Sequence, residues 1–121
     1  MSDPDGVPDG VTVEWVWLVE VPYSPEAPQR RPAHRPVHLE RIARLKREGR
    51  IIEAGGCDDW SKAVILMRAA SAEEALGVIE EDVYTTSGVW HSPTARRYGR
   101  VVLDDGLPRP ESEPGAVGVR V

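Results

Sequence analysis

Two ionisable side chains lie where their helices call for apolar ones. In RPVHLERIARLKREG, residues 35–49, Leu39, Ile42 and Leu45 make one face when each residue turns the helix by about 100°. His38 falls inside that face, beside Ile42 and Leu45, while Glu40, Arg41, Arg44, Arg47 and Glu48 take most of the rest. In AEEALGVIEED, residues 72–82, the apolar stripe is Ala75, Leu76 and Ile79. Asp82 comes seven residues after Ala75 and so returns to within about 20° of it. A lone buried histidine or carboxylate is costly. A buried pair is much cheaper, because the carboxylate favours the imidazolium and fixes the ring's tautomer. The chemistry of such a pair is proton transfer, with His38 as acid or base and Asp82 as its orienter. Each residue also has a plainer reading. His38 would be a hydrogen-bonded core histidine, and Asp82 a residue at a helix C-terminus with its carboxylate in water. That end of a helix is electrostatically unfavourable for aspartate.

Arg35 precedes His38 by three residues and shares its face if the helix reaches that far back. It would bind a substrate carboxylate or hold Asp82; a surface arginine near a helix start fits the spacing equally. No strong nucleophile accompanies these residues. Thr86, Ser87 and Ser92 lie near Asp82 in sequence without a Gly-x-Ser-x-Gly elbow. Cys57 sits beside Asp58 and Asp59, whose charges oppose a thiolate. His34 and His38 have the i, i+4 spacing of helical metal ligands, but Pro36 between them speaks against a regular turn, and no metal is expected. There is no Gly-rich phosphate cradle or dinucleotide fingerprint, so no cofactor is expected.

A chain of 121 residues fits one small domain to hold these groups. The net charge of −5 argues against general nucleic-acid binding. A run from Arg30 to Arg50 is nonetheless arginine-rich; that is a solvated face or a lure for an anionic small molecule. No apolar run approaches the roughly 18 residues that span a bilayer. MSDPDGVPDG lacks the apolar core of a signal peptide, and Cys57 is the only cysteine, so a cytoplasmic setting is expected.

Residues 1–11 read as a flexible arm, 12–103 as the folded domain and 104–121 as a Gly/Pro-rich tail. VTVEWVWLVEV (11–21) reads as a strand. The proline-rich PYSPEAPQRRPAHRP makes an irregular approach, with Pro36 in the first turn of a helix that closes at Gly49. RIIEAGG (50–56) and KAVILMR (62–68) are strands separated by the turn CDDWS. SAEEALGVIEED is a helix with Ser71 and Glu74 as a capping box, and a strand broken by Pro93 and Gly99 runs from about Val89 to Leu103. The order β-α-β-β-α-β predicts a ferredoxin-like α+β fold, a four-stranded antiparallel sheet with both helices on one face. The sheet's other face stays apolar, through Val16, Leu18 and the AVILM strand. A soluble monomer rarely exposes such a patch. A homodimer packed sheet to sheet is expected, unless the tail or arm folds over that face.

RPVHL, GRIIEAGG, SAEEA and EEDVYTTSGVW, in this order and spacing, resemble the YCII-related family. The likeness runs from about Val13 to Tyr98. It implies a ferredoxin-like fold, a dimeric α/β barrel, and a cleft centred on a histidine and an aspartate. Position by position, it assigns His38, Arg35 and Asp82 to the cleft, with Tyr84 as the aromatic after the aspartate and Gly88 as the later glycine. Val83 and Gly56 replace two prolines of the family pattern, which loosens the loops around the cleft. The function expected is cofactor-independent proton transfer, an isomerase- or lyase-type step on a small anionic compound. His38 and Asp82 would be catalytic, Arg35 the anion clamp, and Tyr84 and Trp90 the pocket walls. The alternative is a non-catalytic dimer that binds an anionic metabolite in the same cleft.

Overall fold

The fold is seen in a computed structural model, which describes residues 6–104. The elements are β1 (Val11–Pro22), α1 (Ala27–Arg47), β2 (Ile51–Gly56), β3 (Lys62–Met67), α2 (Ala72–Glu80), α3 (Val83–Thr86) and β4 (Thr94–Leu103). The strands form one sheet in the order β2-β3-β1-β4, which is the ferredoxin-like arrangement expected from the element order. β3 pairs antiparallel with β1 and with β2. The expected tail lies outside the described residues apart from Asp104, as do residues 1–5 of the expected arm.

The described chain divides into two compact units. One is Trp15–Tyr98, which holds every candidate site residue. The other joins the chain before Trp15 to the chain after Tyr98. In it the Asp104 N–H donates to the Gly10 carbonyl at 2.8 Å, Thr12 Oγ1 donates to Asp104, and Arg100 pairs with Glu14.

Within Trp15–Tyr98 the register explains the layering. Trp17 lies opposite Met67, Val19 opposite Ile65 and Val21 opposite Ala63. Strand side chains alternate between faces, so these six point one way, and all but half-buried Trp17 are among the most buried residues of the chain. They pack on Ala27, Ile42 and Leu45 of α1 and on Ala75, Val78 and Ile79 of α2 in one core. Leu18, Leu66 and Val64 take the opposite face and stay half-buried.

Two expectations for α1 are corrected. The helix begins at Ala27, not near Pro36, so the expected irregular approach is itself helical. Pro28, Pro32 and Pro36 are spaced by four and all are exposed. The carbonyls that lose a partner, on Pro28 and Pro32, therefore lie on the water side, where a proline costs least. Leu39 does not belong to the core stripe; it is 47% exposed. The last strand starts at Thr94, leaving Val89 and Trp90 buried in the loop before it. At α2 the Ser71 hydroxyl accepts from Glu74 N–H at 3.1 Å, as the capping pattern predicts, while the Glu74 carboxylate turns to the Ala70 N–H.

Candidate active site

The local structure at Asp82 differs from the expectation. α2 stops at Glu80, and Asp82 is the N-cap of α3, in extended conformation, with Oδ1 accepting the Tyr84 N–H at 2.9 Å. A carboxylate at a helix start is favoured where one at a helix end is not. The same oxygen meets His38 Nδ1 at 2.7 Å, and Oδ2 accepts from Arg41 Nη1 at 2.9 Å. Arg41 also donates through Nη2 to the Val78 carbonyl at 2.9 Å, which ties α1 to the end of α2. Asp82 is fully buried. Burial is the largest influence on its carboxyl and works against the charge. It is outweighed by the bonds from His38, Tyr84 N–H and Arg41 and by the imidazole's charge, which together hold Asp82 below its ordinary value.

That bonding fixes the tautomer. Arg41 and the Tyr84 amide can only donate, and the carboxyl is held below its ordinary value, so at neutral pH Asp82 is an ionised acceptor. The Nδ1 of His38 must then carry its proton, and in the neutral ring the lone pair sits on Nε2. Among the described residues Nε2 has no hydrogen-bond partner. The ring is held flat by Tyr84, stacked at 3.6 Å between centroids and 8° between planes. Trp90 stands perpendicular to both rings, 5.1 Å from His38 and 5.2 Å from Tyr84. A histidine oriented by a carboxylate and fixed by aromatic contacts, with Nε2 unpaired, is arranged to accept a proton. His38 as a whole is 7% exposed. The Tyr84 hydroxyl is raised above its ordinary value, first by burial and against the pull of Arg31 and Arg35.

Arg35 is exposed and does not hold Asp82; Arg41 does. The two arginines lie about 60° to either side of His38 on the helix, so spacing alone did not distinguish them. Gly88 has φ +82°, its N–H donates to Thr85 and its carbonyl accepts from Ser24 Oγ at 2.6 Å. Its contribution is the turn that sends the chain back to Trp90. Val83, which stands where the family pattern has proline, is the first residue of α3, so the capped helix forms without it. At Gly56 a Cβ would collide with the Tyr23 hydroxyl, so the absence of a side chain there makes room for Tyr23. Among the described residues no group of three His, Cys, Asp or Glu side chains could hold a metal, and no helix is long and apolar enough to cross a membrane. A hollow of about 370 Å³ lies elsewhere, along β2 and β3, lined by Glu53, Gly56, Cys57, Val64 and Leu66 among others.

No family model matches the chain, and no curated protein does. A solved structure is similar: 5-chloro-2-hydroxyhydroquinone dehydrochlorinase from Burkholderia phenoliruptrix, in complex with 2,5-dihydroxybenzoquinone. The match has a TM-score of 0.58 at 24% identity and covers 69% of this chain and 92% of that one. It shows a shared fold.

Proposed function

We propose that the chain is a cofactor-independent enzyme of the YCII-related kind, moving a proton on a small anionic organic compound in an isomerisation or elimination. His38 Nε2 is the base or acid, and Asp82 sets its tautomer and steadies its cation. The observation that carries this reading is the bonding of Asp82, whose donors leave Nε2 as the ring's lone-pair nitrogen. Tyr84 and Trp90 wall the ligand, Gly88 shapes the loop behind it, and the arginines of α1, Arg35 among them, draw the anion.

The dehydrochlorinase of similar fold suggests where to look first. In such an elimination a base takes one hydroxyl proton, the ring tautomerises by accepting a proton on the chlorine-bearing carbon, and loss of a second hydroxyl proton expels chloride with its bonding pair, so that the hydroxylated ring becomes a hydroxyquinone and the net loss is HCl. No nucleophile or redox partner is needed, in keeping with a site built on one histidine. In the same reading a second copy packs on the sheet face bearing Leu18, Val64 and Leu66, away from the helices. Light scattering checks that pairing, with Leu66→Glu expected to give monomers.

Two measurements test the catalytic reading. In ¹⁵N NMR the neutral His38 ring is expected with hydrogen on Nδ1, the minority form of a free histidine side chain. Chloride release from 5-chloro-2-hydroxyhydroquinone, and turnover of related hydroxyquinones, should fall by at least about 10²-fold in His38→Gln, with binding changed by less than about tenfold. A neutral ring carrying its hydrogen on Nε2, or turnover that survives His38→Gln, would refute it. The near-complete burial of His38 favours the second reading, a binding protein in which the ring is only a wall. There His38→Gln lowers affinity and no compound in the panel is turned over.

A further inference from the structure

We infer that Arg31, held over the Trp60 ring, is the residue that fixes the anionic end of the ligand, and that the strained turn at Trp60 exists to hold it there. The inference rests on the reading of His38 as the reacting residue and names what grips the other end of the same molecule.

The inward face of α1 is the starting point. Ala27, Arg31, His34, His38, Ile42 and Leu45 all fall within about 40° of His38 around the helix. Burial follows that geometry: Ala27, His38, Ile42 and Leu45 are buried, Arg31 and His34 are half-buried, and Arg30 and Arg35 are exposed. Arg31 thus lies on the site's own face of the helix, two turns before His38, about 10 Å along the axis. Arg35 lies off that face.

The Arg31 guanidinium carbon sits 4.2 Å from the centre of the Trp60 ring. Among the described residues no carboxylate lies within ion-pair distance of it. Arg30, by contrast, donates to the Ser87 carbonyl at 3.3 Å. A guanidinium stacked on an aromatic face keeps its edge of N–H donors free, and it is already immobilised when an anion arrives. Its charge also reaches the Tyr84 hydroxyl that stacks on His38, where it favours the anion.

Trp60 itself is held at φ +64°, a region that bulky side chains avoid and glycine enters freely. The turn is locked by Cys57 N–H to the Lys62 carbonyl (2.9 Å), Trp60 N–H to the Cys57 carbonyl (3.1 Å) and Ser61 N–H to Asp59 Oδ1 (2.9 Å). The indole stands at 5.3 Å and 68° to Tyr23, whose hydroxyl end lies over Gly56. A strained backbone with a glycine-like conformation that nonetheless keeps a tryptophan implies that the ring is needed. Its ring faces the guanidinium. The ligand class that fits is a planar ring with an ionised oxygen or carboxylate across from the reacting position.

The probe is 2,5-dihydroxybenzoquinone, whose ionised oxygens lie across one ring. It is titrated into the ¹⁵N-labelled full chain while the tryptophan indole N–H signals are followed. The Trp60 signal should shift, and Arg31→Ala should weaken binding by at least about tenfold, Arg35→Ala by less than about threefold. Arg31→Lys should recover only part of the loss. Trp60→Leu, which keeps apolar packing against the core but removes the aromatic face, should weaken binding at least about fivefold, and so should Trp60→Gly. A wild-type Trp60 signal unmoved by millimolar probe, an Arg35→Ala loss equal to that of Arg31→Ala, or a Trp60→Gly chain that binds normally would overturn the inference. If turnover survives His38→Gln while Arg31→Ala abolishes binding, the base assignment falls and the anion grip stands.

Discussion

Two carboxylates in this chain each lie between two basic side chains. Asp82 takes His38 and Arg41; Glu20 takes Lys62 at 2.7 Å and Arg96 at 3.0 Å. Both are held below the ordinary carboxylate value, Glu20 chiefly by its bond to Lys62 and that lysine's charge. Their surroundings separate them. Asp82 is fully buried and its ligands come from α1 and the start of α3, whereas the Glu20 side chain is 22% exposed on the sheet, reached from β3 and β4. In water a broken pair is replaced by solvent, and surface pairs are worth little. In the core nothing replaces it, and each stranded group bears its full desolvation cost. The same charge pattern is thus a cross-brace in one place and a surface feature in the other.

The sharpest way to break that contrast is to delete both carboxylates. Asp82→Ala strands the His38 Nδ1–H, the Arg41 guanidinium and the Tyr84 N–H together, and should cost about 3–5 kcal/mol in urea unfolding. Arg41→Ala should cost less, about 1.5–3 kcal/mol, because it frees one carboxylate oxygen and the Val78 carbonyl while His38 and Tyr84 still hold Asp82. If Asp82→Ala unfolds at the same urea concentration as Glu20→Ala, burial is not what distinguishes the two sites.

The sequence carried the sheet order, because strands and helices alternate in a pattern with few solutions. It also carried the approach of His38 to Asp82, because a polar residue inside an apolar stripe needs a partner. What it did not carry came from three local causes. Prolines at spacing four read as helix breakers, yet they lie on one exposed face where lost bonds go to water, so α1 runs back to Ala27. Asp82 extended the α2 periodicity by angle, but the chain turns at Glu81 and the aspartate caps the next helix instead. Arg35 and Arg41 flank His38 symmetrically, and only the packing of α1 against α3 picks Arg41. Arg31 belongs to the arginine-rich run, but in a helix that begins at Pro36 it has no defined face; once the helix starts at Ala27, its place on the face of His38 follows from the helix angle.

pH sharpens the comparison at smaller amplitude. A folded carboxyl held below its unfolded value binds fewer protons than the unfolded chain does in acid, so stability rises with pH through that range. The contribution of Asp82 is present above about pH 4 and is lost as pH falls through the lowered folded value. In Asp82→Asn the acid limb of stability against pH should therefore be shallower than in wild type. At the alkaline end the sign reverses. The Tyr84 hydroxyl is raised, first by burial, so its contribution is present below about pH 10 and lost as pH rises toward its folded value. Phenolate absorbance should show Tyr84 ionising after free tyrosine. Arg31→Ala should delay it further, since that charge favours the anion.

The smallest effect belongs to Glu20→Gln. Glutamine keeps the length and one acceptor oxygen, so Lys62 Nζ still has a partner, and Arg96, itself exposed, turns to water. The charge lost is screened by solvent already, and the strand register that brings the groups together is set by the Val19–Ile65 and Val21–Ala63 pairs on the buried side. Urea unfolding of Glu20→Gln should hardly differ from wild type at 0.15 M salt and should differ more at 0.01 M, because the Debye length grows from about 8 Å to about 30 Å. Asp82→Asn should cost nearly the same at both salts, since mobile ions do not reach a fully buried carboxylate. Equal salt sensitivity at the two sites would mean that water reaches Asp82 in solution, and the low-dielectric setting on which its proposed role beside His38 depends would be gone with it.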